Sequence, residues 1–549
     1  VSEPSGVAAA LAATSGDVSE RVDRACTLAP FAAAAGGGAL YFLGYVGYGV
    51  WPCLLVFLAP LWWALEGVET RGLFRSLALG MIFGCAAYAG GFLWLWRLVG
   101  PFLDGDRLMG AALWIAYGLW FAAGFAVYAA LFRALRRRGA PIALAGVAPL
   151  LVVEWLQPQI FPLYAGNALV IAPVWAQTAD LGGPLLLTAL VAGANVVAFE
   201  TWTWWHGRRP RPHAVWVTAV SVALVTLGYG WLRMAALDDA VRSAPALRVG
   251  LVQANLGVLE KDALSVVTHE RHLAQTRELL AAGDVDLVIW PETAYVRGLR
   301  RPLPIAGRPI RAELSVPLLF GASSVLEVNG RRLKSNSAFL IGADGTIRDV
   351  YDKNLLIPLA ESLPFADVVP ALGRWFPHAE VFAAAHDTPA LALGPWRIAT
   401  PICYEAIRPD FVRRMVERSE PHLLVTLAND AWFGDSREPW IHLALARLRA
   451  IEHRRFLVRA TNSGVSAIVD PAGRVVAETG VLTRENLRGV VHPLAGRTIY
   501  GRLGDWPGWL AAAVVALTLA LGASRPLHPR ARIRNGTGVG PPARRSDTR

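Results

Sequence analysis

The chain has 549 residues, of which 54% are hydrophobic and only 17% charged, with 21 tryptophans. That is too apolar for a soluble multidomain protein and describes an integral membrane protein. A formal net charge of +11 raises nucleic acid as a partner, but the basic residues cluster where apolar runs end and no nucleic-acid motif accompanies them, so that class is set aside.

Residues 1–27 show no clear periodicity and lack the apolar core and cleavage site of a signal peptide, which predicts a loose cytoplasmic tail. Apolar runs then follow at about 28–48, 51–67, 73–97, 110–133, 141–157, 183–204 and 214–236, each near the ~20 residues that span a bilayer. An eighth run lies at about 507–523. The expected map is seven spans in 28–239, a polar domain in 240–500, a last span in 501–524 and a basic cytoplasmic tail in 525–549.

Every second connection is basic: Arg71 and Arg75; then Arg133, Arg136, Arg137 and Arg138; then Arg208, Arg209 and Arg211. The connection after span three instead sets Arg107 beside Asp104 and Asp106. Positive residues are retained on the cytoplasmic side, so both termini are expected in the cytoplasm and the polar domain on the outer face. The connection from Phe161 to Gly183 suits either a segment dipping into the outer leaflet or an ordinary external loop.

Within the polar domain, short β-branched runs alternate with helical stretches, which predicts an α/β layered fold. Expected strands include 246–255, Val285 to Trp290, Pro317 to Val325 and a hairpin turning at Asp344-Gly345. Trp396 to Ile402 reads as another strand, with Cys403-Tyr404-Glu405 as the turn before a helix that starts near Pro409. Cys26, Cys53 and Cys85 lie in or beside the N-terminal apolar runs, whereas Cys403 is alone in its half of the chain. An unpaired thiol outside the cytoplasm is either buried or used, and its place at a strand-to-helix turn favours use, because backbone N–H groups there can steady an oxyanion.

Three strand ends therefore carry the groups that thiol-based acyl transfer needs: Glu292, Lys353 and Cys403. In this order they resemble the Glu-Lys-Cys triad of the nitrilase, or carbon–nitrogen hydrolase, superfamily, which implies a four-layer αββα sandwich. With the membrane runs included, the chain resembles the apolipoprotein N-acyltransferase family. The resemblance is carried by Trp290-Pro291-Glu292, Tyr351-Asp352-Lys353-Asn354, Ile402-Cys403-Tyr404-Glu405, Asn429-Asp430-Ala431-Trp432-Phe433-Gly434 and Arg459-Ala460-Thr461-Asn462-Ser463-Gly464. Two places depart from the family pattern: Pro358-Leu359-Ala360-Glu361, where Pro-Phe-Gly-Glu is usual, and Phe376-Pro377-His378, where Pro-Gly is common.

The resemblance implies a multi-pass helical membrane domain of about eight spans with an inserted nitrilase-like α/β domain, in a bacterial inner membrane. It implies a phospholipid acyl donor, a diacylated apolipoprotein acceptor and a monomer. Glu292 is then the general base and Cys403 the nucleophile, while Lys353 lowers the thiol pKa and stabilises the oxyanion. Glu361 is expected to support Lys353, with Glu405 and Tyr404 helping to position the turn. Trp432 and Phe433, beside Asn429, suit contact with acyl chains, as a lid over a lipid-facing entrance or as a packed loop capping the sandwich. No cofactor or metal is expected: the chain has no HExxH, and His442 and His453 read as surface or packing residues. Rival readings are a membrane-tethered amidase or thioesterase that uses water as acceptor, and a non-catalytic scaffold or transporter, for which Glu154 and Glu200 near span ends are the candidate charges.

Overall fold

The computed structural model describes residues 28–67, 72–99, 106–257, 265–328, 330–366, 368–376, 379 and 381–522. Both expected tails lie outside the described residues, as do Arg71, Asp104, Pro377 and His378.

Each expected apolar run is helical. In order these are α1 (Leu28–Gly44), α2 (Trp51–Glu66), α3 (Leu73–Gly91), α4 (Leu93–Val99), α5 (Arg107–Arg137), α6 (Ile142–Leu156), α7 (Ala179–Trp205) and α8 (His213–Ser243). The run expected as one span over 73–97 is broken at Phe92, whose φ of −116° leaves the helix. Its carbonyl accepts from Leu95 N–H at 3.1 Å and from Trp114 Nε1 on α5 at 3.0 Å. Small residues let α3 lie against α5, since a Cβ on Gly80 would come within 2.1 Å of the Phe125 carbonyl oxygen and one on Gly84 within 2.5 Å of Ala122 Cα. On α8 the apolar side chains Val217, Leu224, Val225, Trp231 and Leu232 are all exposed, as lipid contact requires.

Helix ends sort to two sides. Glu66 at the end of α2 pairs with Arg136 of α5 and with Arg209 beyond α7, each at 2.6 Å. The opposite ends meet the polar domain: Trp94 packs on Phe433, the Gln159 carbonyl accepts from Arg408 and Asp180 pairs with Arg454. The segment between α6 and α7 is no ordinary external loop, because its 3₁₀ turn Ala165–Ile171 is largely buried under the polar domain.

Among the described residues the polar domain has fourteen strands: β1 (Leu247–Gln253), β2 (Leu287–Ile289), β3 (Tyr295–Arg300), β4 (Ile305–Ala306), β5 (Leu318–Val328), β6 (Arg331–Ile341), β7 (Thr346–Asp352), β8 (Leu391–Leu393), β9 (Trp396–Ala399), β10 (Leu423–Ala428), β11 (Leu457–Thr461), β12 (Ala467–Val469), β13 (Val475–Glu478) and β14 (Glu485–Val491). One sheet runs β14-β1-β2-β5-β6-β7-β4 with β3 on β5, and the other β13-β12-β11-β10-β9-β8. The longer helices of the domain are α9 (Ser265–Ala281), α10 (Pro409–Ser419) and α11 (Glu438–His453), and α12 (Trp506–Leu521) returns to the membrane part.

Alternation along the strands sets the layers. Val249, Leu251, Leu287 and Ile289 point between the sheets, against Leu424 and Val458 of the second sheet. Val252, Val288 and Trp290 point the other way, onto Leu273 and Leu279 of α9. α10 and α11 cover the second sheet through Met415, Val416, Ala446 and Ala450, completing an αββα sandwich. Each fully buried Val, Leu or Ile side chain contributes roughly 1.5–3 kcal/mol. Strands β9, β10 and β11 are parallel, as are β1, β2 and β5, so the loops at their carboxyl ends gather along one rim. α3, α5, α7 and α8 are long and apolar enough to cross a membrane, while α1, α2, α6 and α12 are shorter apolar helices.

Candidate functional site

The strand expected over 396–402 pairs continuously only to Ala399. Pro401 has no N–H to donate, and after it Ile402 makes a single bridge to Leu427 of β10. The chain then turns sharply at Cys403, whose φ of +49° is left-handed, an uncommon state for a residue other than glycine. The thiol is buried, at 7% exposure, at the carboxyl end of a strand.

Glu292 reaches the same rim from the end of β2, and Lys353 follows directly on β7, where its backbone N–H donates to the Asn336 carbonyl at 2.8 Å. Lys353 is fully buried and its Nζ donates to Glu361 Oε1 at 2.7 Å and to Glu292 Oε1 at 3.2 Å. Asn336 Nδ2 bridges the same two carboxylates, at 2.8 Å from Glu292 and 3.2 Å from Glu361. Burial alone favours the neutral amine, but the Glu292 and Glu361 carboxylates outweigh it and hold Lys353 well above the usual lysine range.

For Cys403 the balance goes the other way. Burial, and next the Glu292 carboxylate, push the thiol well above its ordinary range, although Lys353 pulls it down. Lys353 thus lowers the thiol pKa as expected, but desolvation and the carboxylates outweigh it, so the net shift is upward and the resting group is a protonated thiol.

Glu405 ties two parts of the site together. Its Oε1 accepts from the backbone N–H groups of Asn354 and Leu355 at 2.6 and 3.0 Å, and its Oε2 from Ile402 N–H at 2.8 Å and Tyr351 OH at 2.7 Å. The chain leaving Lys353 is thus fastened to the residue before Cys403. Burial pushes the Glu405 carboxyl up to about 7, against the Leu355, Ile402 and Tyr351 donors and the charge of Lys353. The Tyr404 hydroxyl accepts from Arg408, which also donates to Gln159 in the membrane part, and its ring meets Phe161 edge-on at 6.1 Å.

Beyond β10, residues Asp430–Phe433 form a 3₁₀ turn. Phe433 is buried against Trp94 of α4 with ring centroids 5.5 Å apart, Trp432 is half-buried, and Asn429 Oδ1 accepts from Asn462 Nδ2 at 3.1 Å. This turn therefore joins the site to the membrane helices.

Sequence reasoning missed Asn336, Tyr351 and His442. Asn336 lies in an expected strand with no local sign that its amide bridges two carboxylates. His442 and His453 are both buried, which removes the surface option, and His442 Nε2 lies 3.2 Å from the Cys403 carbonyl oxygen. Among the described residues, the ligand atoms of Asp430, Glu438 and His442 lie within 4.8 Å of one another. Arg459 holds the other Asp430 oxygen at 2.7 Å and His442 Nε2 faces a carbonyl, so the donor set reads as a hydrogen-bond network and suits a cation poorly.

The comparisons with known proteins agree with this architecture. The carbon-nitrogen hydrolase family model matches residues 248–488, and the apolipoprotein N-acyltransferase N-terminal domain model matches residues 37–197. The chain is 32% identical over 507 residues to an apolipoprotein N-acyltransferase of Geobacter metallireducens, covering 88% of this chain and 93% of that one. It is 33% identical over 515 residues to one of Azotobacter vinelandii, with 88% and 93% covered, and 32% identical over 507 residues to one of Pseudomonas putida, with 88% and 95% covered. With matches on both the membrane part and the sandwich, and relatives aligned over almost their whole length, the chain belongs to the apolipoprotein N-acyltransferase family.

Proposed function

We propose that this chain transfers a fatty acyl group from a membrane phospholipid, through a thioester on Cys403, to the N-terminal amine of the diacylglyceryl-cysteine of an apolipoprotein. The observation that carries it is one buried ammonium, Lys353, held between Glu292 and Glu361 beside a buried thiol at the seam with the membrane helices.

In the first step Glu292 takes the Cys403 proton as the thiolate attacks the ester carbonyl. Because the resting thiol is protonated, proton transfer and attack are coupled. Lys353 and the N–H groups of the turn stabilise the oxyanion. The ester C–O bond breaks, Glu292 returns its proton to the departing lysophospholipid alkoxide, and the acyl group stays on sulfur. In the second step the acceptor amine attacks the thioester and gives its proton to Glu292. The C–S bond breaks, an amide forms, and the proton passes back to the thiolate.

Glu361 and Glu405 position Lys353 and the turn. A small apolar hollow lined by Tyr45, Phe92, Trp94, Phe161, Ile407 and Ile441 lies at the seam with the membrane helices and marks the side from which an acyl chain would approach. Trp432 and Phe433, which rests on Trp94, are read as the lid towards the lipid. Eight membrane spans, both termini in the cytoplasm and the sandwich on the outer face of a bacterial inner membrane complete the reading, with a monomer sufficient for the chemistry.

The test is intact-mass analysis of the purified protein after incubation with phospholipid, for wild type and Cys403→Ser. A hydroxylamine-labile adduct of fatty-acyl mass, dependent on Cys403 and discharged by a diacylglyceryl-peptide, is expected. Discharge equally fast in buffer alone would instead identify a hydrolase, and no adduct under any condition would leave a non-catalytic protein.

A further inference from the structure

We infer that His442 is a positioning residue for the Cys403 nucleophile, holding the Cys403 peptide carbonyl through Nε2 while Asp430 holds the ring from the other side. The inference rests on the proposed transfer through Cys403.

His442 lies on α11, 39 residues along the chain from Cys403, and is 3% exposed. Its Nε2 is 3.2 Å from the Cys403 carbonyl oxygen. Its Nδ1 is 3.2 Å from Asp430 Oδ1 and 3.7 Å from Glu438 Oε1. A carbonyl only accepts, so Nε2 carries a proton. On the other side the nearest atom is an oxygen of Asp430, whose second oxygen receives Arg459 at 2.7 Å. Burial opposes ionisation of Asp430, but Arg459 and His442 outweigh it and hold the carboxyl low, at about 2. Glu438, buried beside Asp430, is held well above the usual carboxylate range by desolvation and then by that neighbour. The ring is therefore held between a peptide carbonyl 3.2 Å from Nε2 and the Asp430 carboxylate 3.2 Å from Nδ1.

This contact bears on the nucleophile for two reasons. Cys403 sits in a left-handed conformation that its surroundings must enforce. In addition, its carbonyl and the Tyr404 N–H belong to one peptide unit. Donation to that carbonyl fixes the plane of the unit and polarises the N–H next to the reacting sulfur. The charged groups acting on Cys403 from the other elements are Glu292 after β2, Lys353 and Glu361 at and beyond the end of β7, and Asp430 after β10.

The experiment uses the full chain in detergent micelles containing phospholipid, with His442→Leu, His442→Gln and His442→Asn. His442→Leu is expected to lower the rate of acyl-enzyme formation at saturating donor by about 100-fold, with the donor KM within about twofold of wild type. His442→Gln, whose amide reaches the carbonyl, is expected to regain about tenfold over His442→Asn, whose amide does not. Wild-type rates in His442→Asn, or equal losses in the Gln and Asn variants, would overturn the inference, and that pair carries the test should His442→Leu not fold.

A second readout needs no lipid: alkylation of Cys403 by iodoacetamide, located by peptide mass, from about pH 6 to about pH 10. Loss of the donation to the Cys403 carbonyl weakens the polarised Tyr404 N–H beside the sulfur and disfavours the thiolate, so the profile of His442→Asn is expected to move to higher pH, with His442→Gln between it and wild type. An unchanged profile would overturn the inference. Failure of the wild type to form any acyl-enzyme would defeat the proposed function instead, leaving the alkylation profile to decide His442.

Discussion

At the scale of single residues, the site is organised by one positive charge shared between two negative ones. Lys353 is completely buried, and removing it strands both Glu292 and Glu361 in a dry site. Breaking a buried ion pair from one side typically costs about 3–5 kcal/mol. Lys353→Met is therefore expected to abolish acyl-enzyme formation and to lower stability by about that amount, measured by denaturant unfolding in detergent. The thiol makes a separate prediction. Its pKa is raised, so the thiolate fraction is small at neutral pH and keeps growing above the ordinary thiol value of about 8.5. The rate of Cys403 alkylation in the wild type is expected to go on rising past about pH 9, where an unperturbed thiol levels off; a plateau near about pH 7 would show that Lys353 dominates after all.

At the scale of elements, the reacting groups are placed by strand ends and by the tightness of the sheet. Gly321 on β5 lies so close to the end of β2 that a Cβ there would come within 2.6 Å of Glu292 Cα. Gly321→Ala is expected to push Glu292 aside, costing about 1–3 kcal/mol from overpacking. Misplacement of a catalytic group by about 1 Å can lower a rate about 100-fold, so acyl-enzyme formation should fall far more than stability does. A variant with full activity would show that β5 yields instead. Glu405 acts at the same scale, since it fastens the segment after β7 to the turn after β9. Its replacement by Ala leaves three backbone N–H groups without that acceptor, and the loss of rate is expected to accompany faster hydrogen exchange at Asn354 and Leu355.

For the whole molecule, the question is what fixes the sandwich over the helices. A buried polar seam does so: Asp180 at the start of α7 accepts from Arg454 at 2.7 Å, Arg233 at 3.0 Å and Tyr229 at 2.6 Å, while Gln177 donates to the Ala472 carbonyl at 2.9 Å. Beside it, Phe433 meets Trp94 and Arg408 meets Gln159, so both loops flanking Cys403 rest on the membrane part. Asp180→Ala leaves Arg454 buried without its carboxylate and is expected to destabilise the chain by about 3–5 kcal/mol. Hydrogen exchange should quicken at the seam, around residues 177–180 and 454–456, before it does in the sheets; uniform change throughout the domain would argue against a local clamp.

Local order in the chain was enough to determine the apolar runs, the alternation of their basic connections, the strand-and-turn pattern of the polar domain and the candidates Glu292, Lys353 and Cys403. Hydropathy and period-two alternation are properties of neighbouring residues, and the motifs around each candidate are short and contiguous. Tertiary structure alone decided what lies between distant segments. The contact of Trp114 with the Phe92 carbonyl at the helix break joins two separate helices. Asn336 becomes a bridge only when β6 lies within reach of the residues that follow β2 and β7. The thiol is pushed up because burial in the folded site outweighs an ammonium that was visible in the sequence, and His442 reaches Cys403 only once α11 packs on the second sheet. Desolvation and through-space contact arise from packing, which no local pattern encodes.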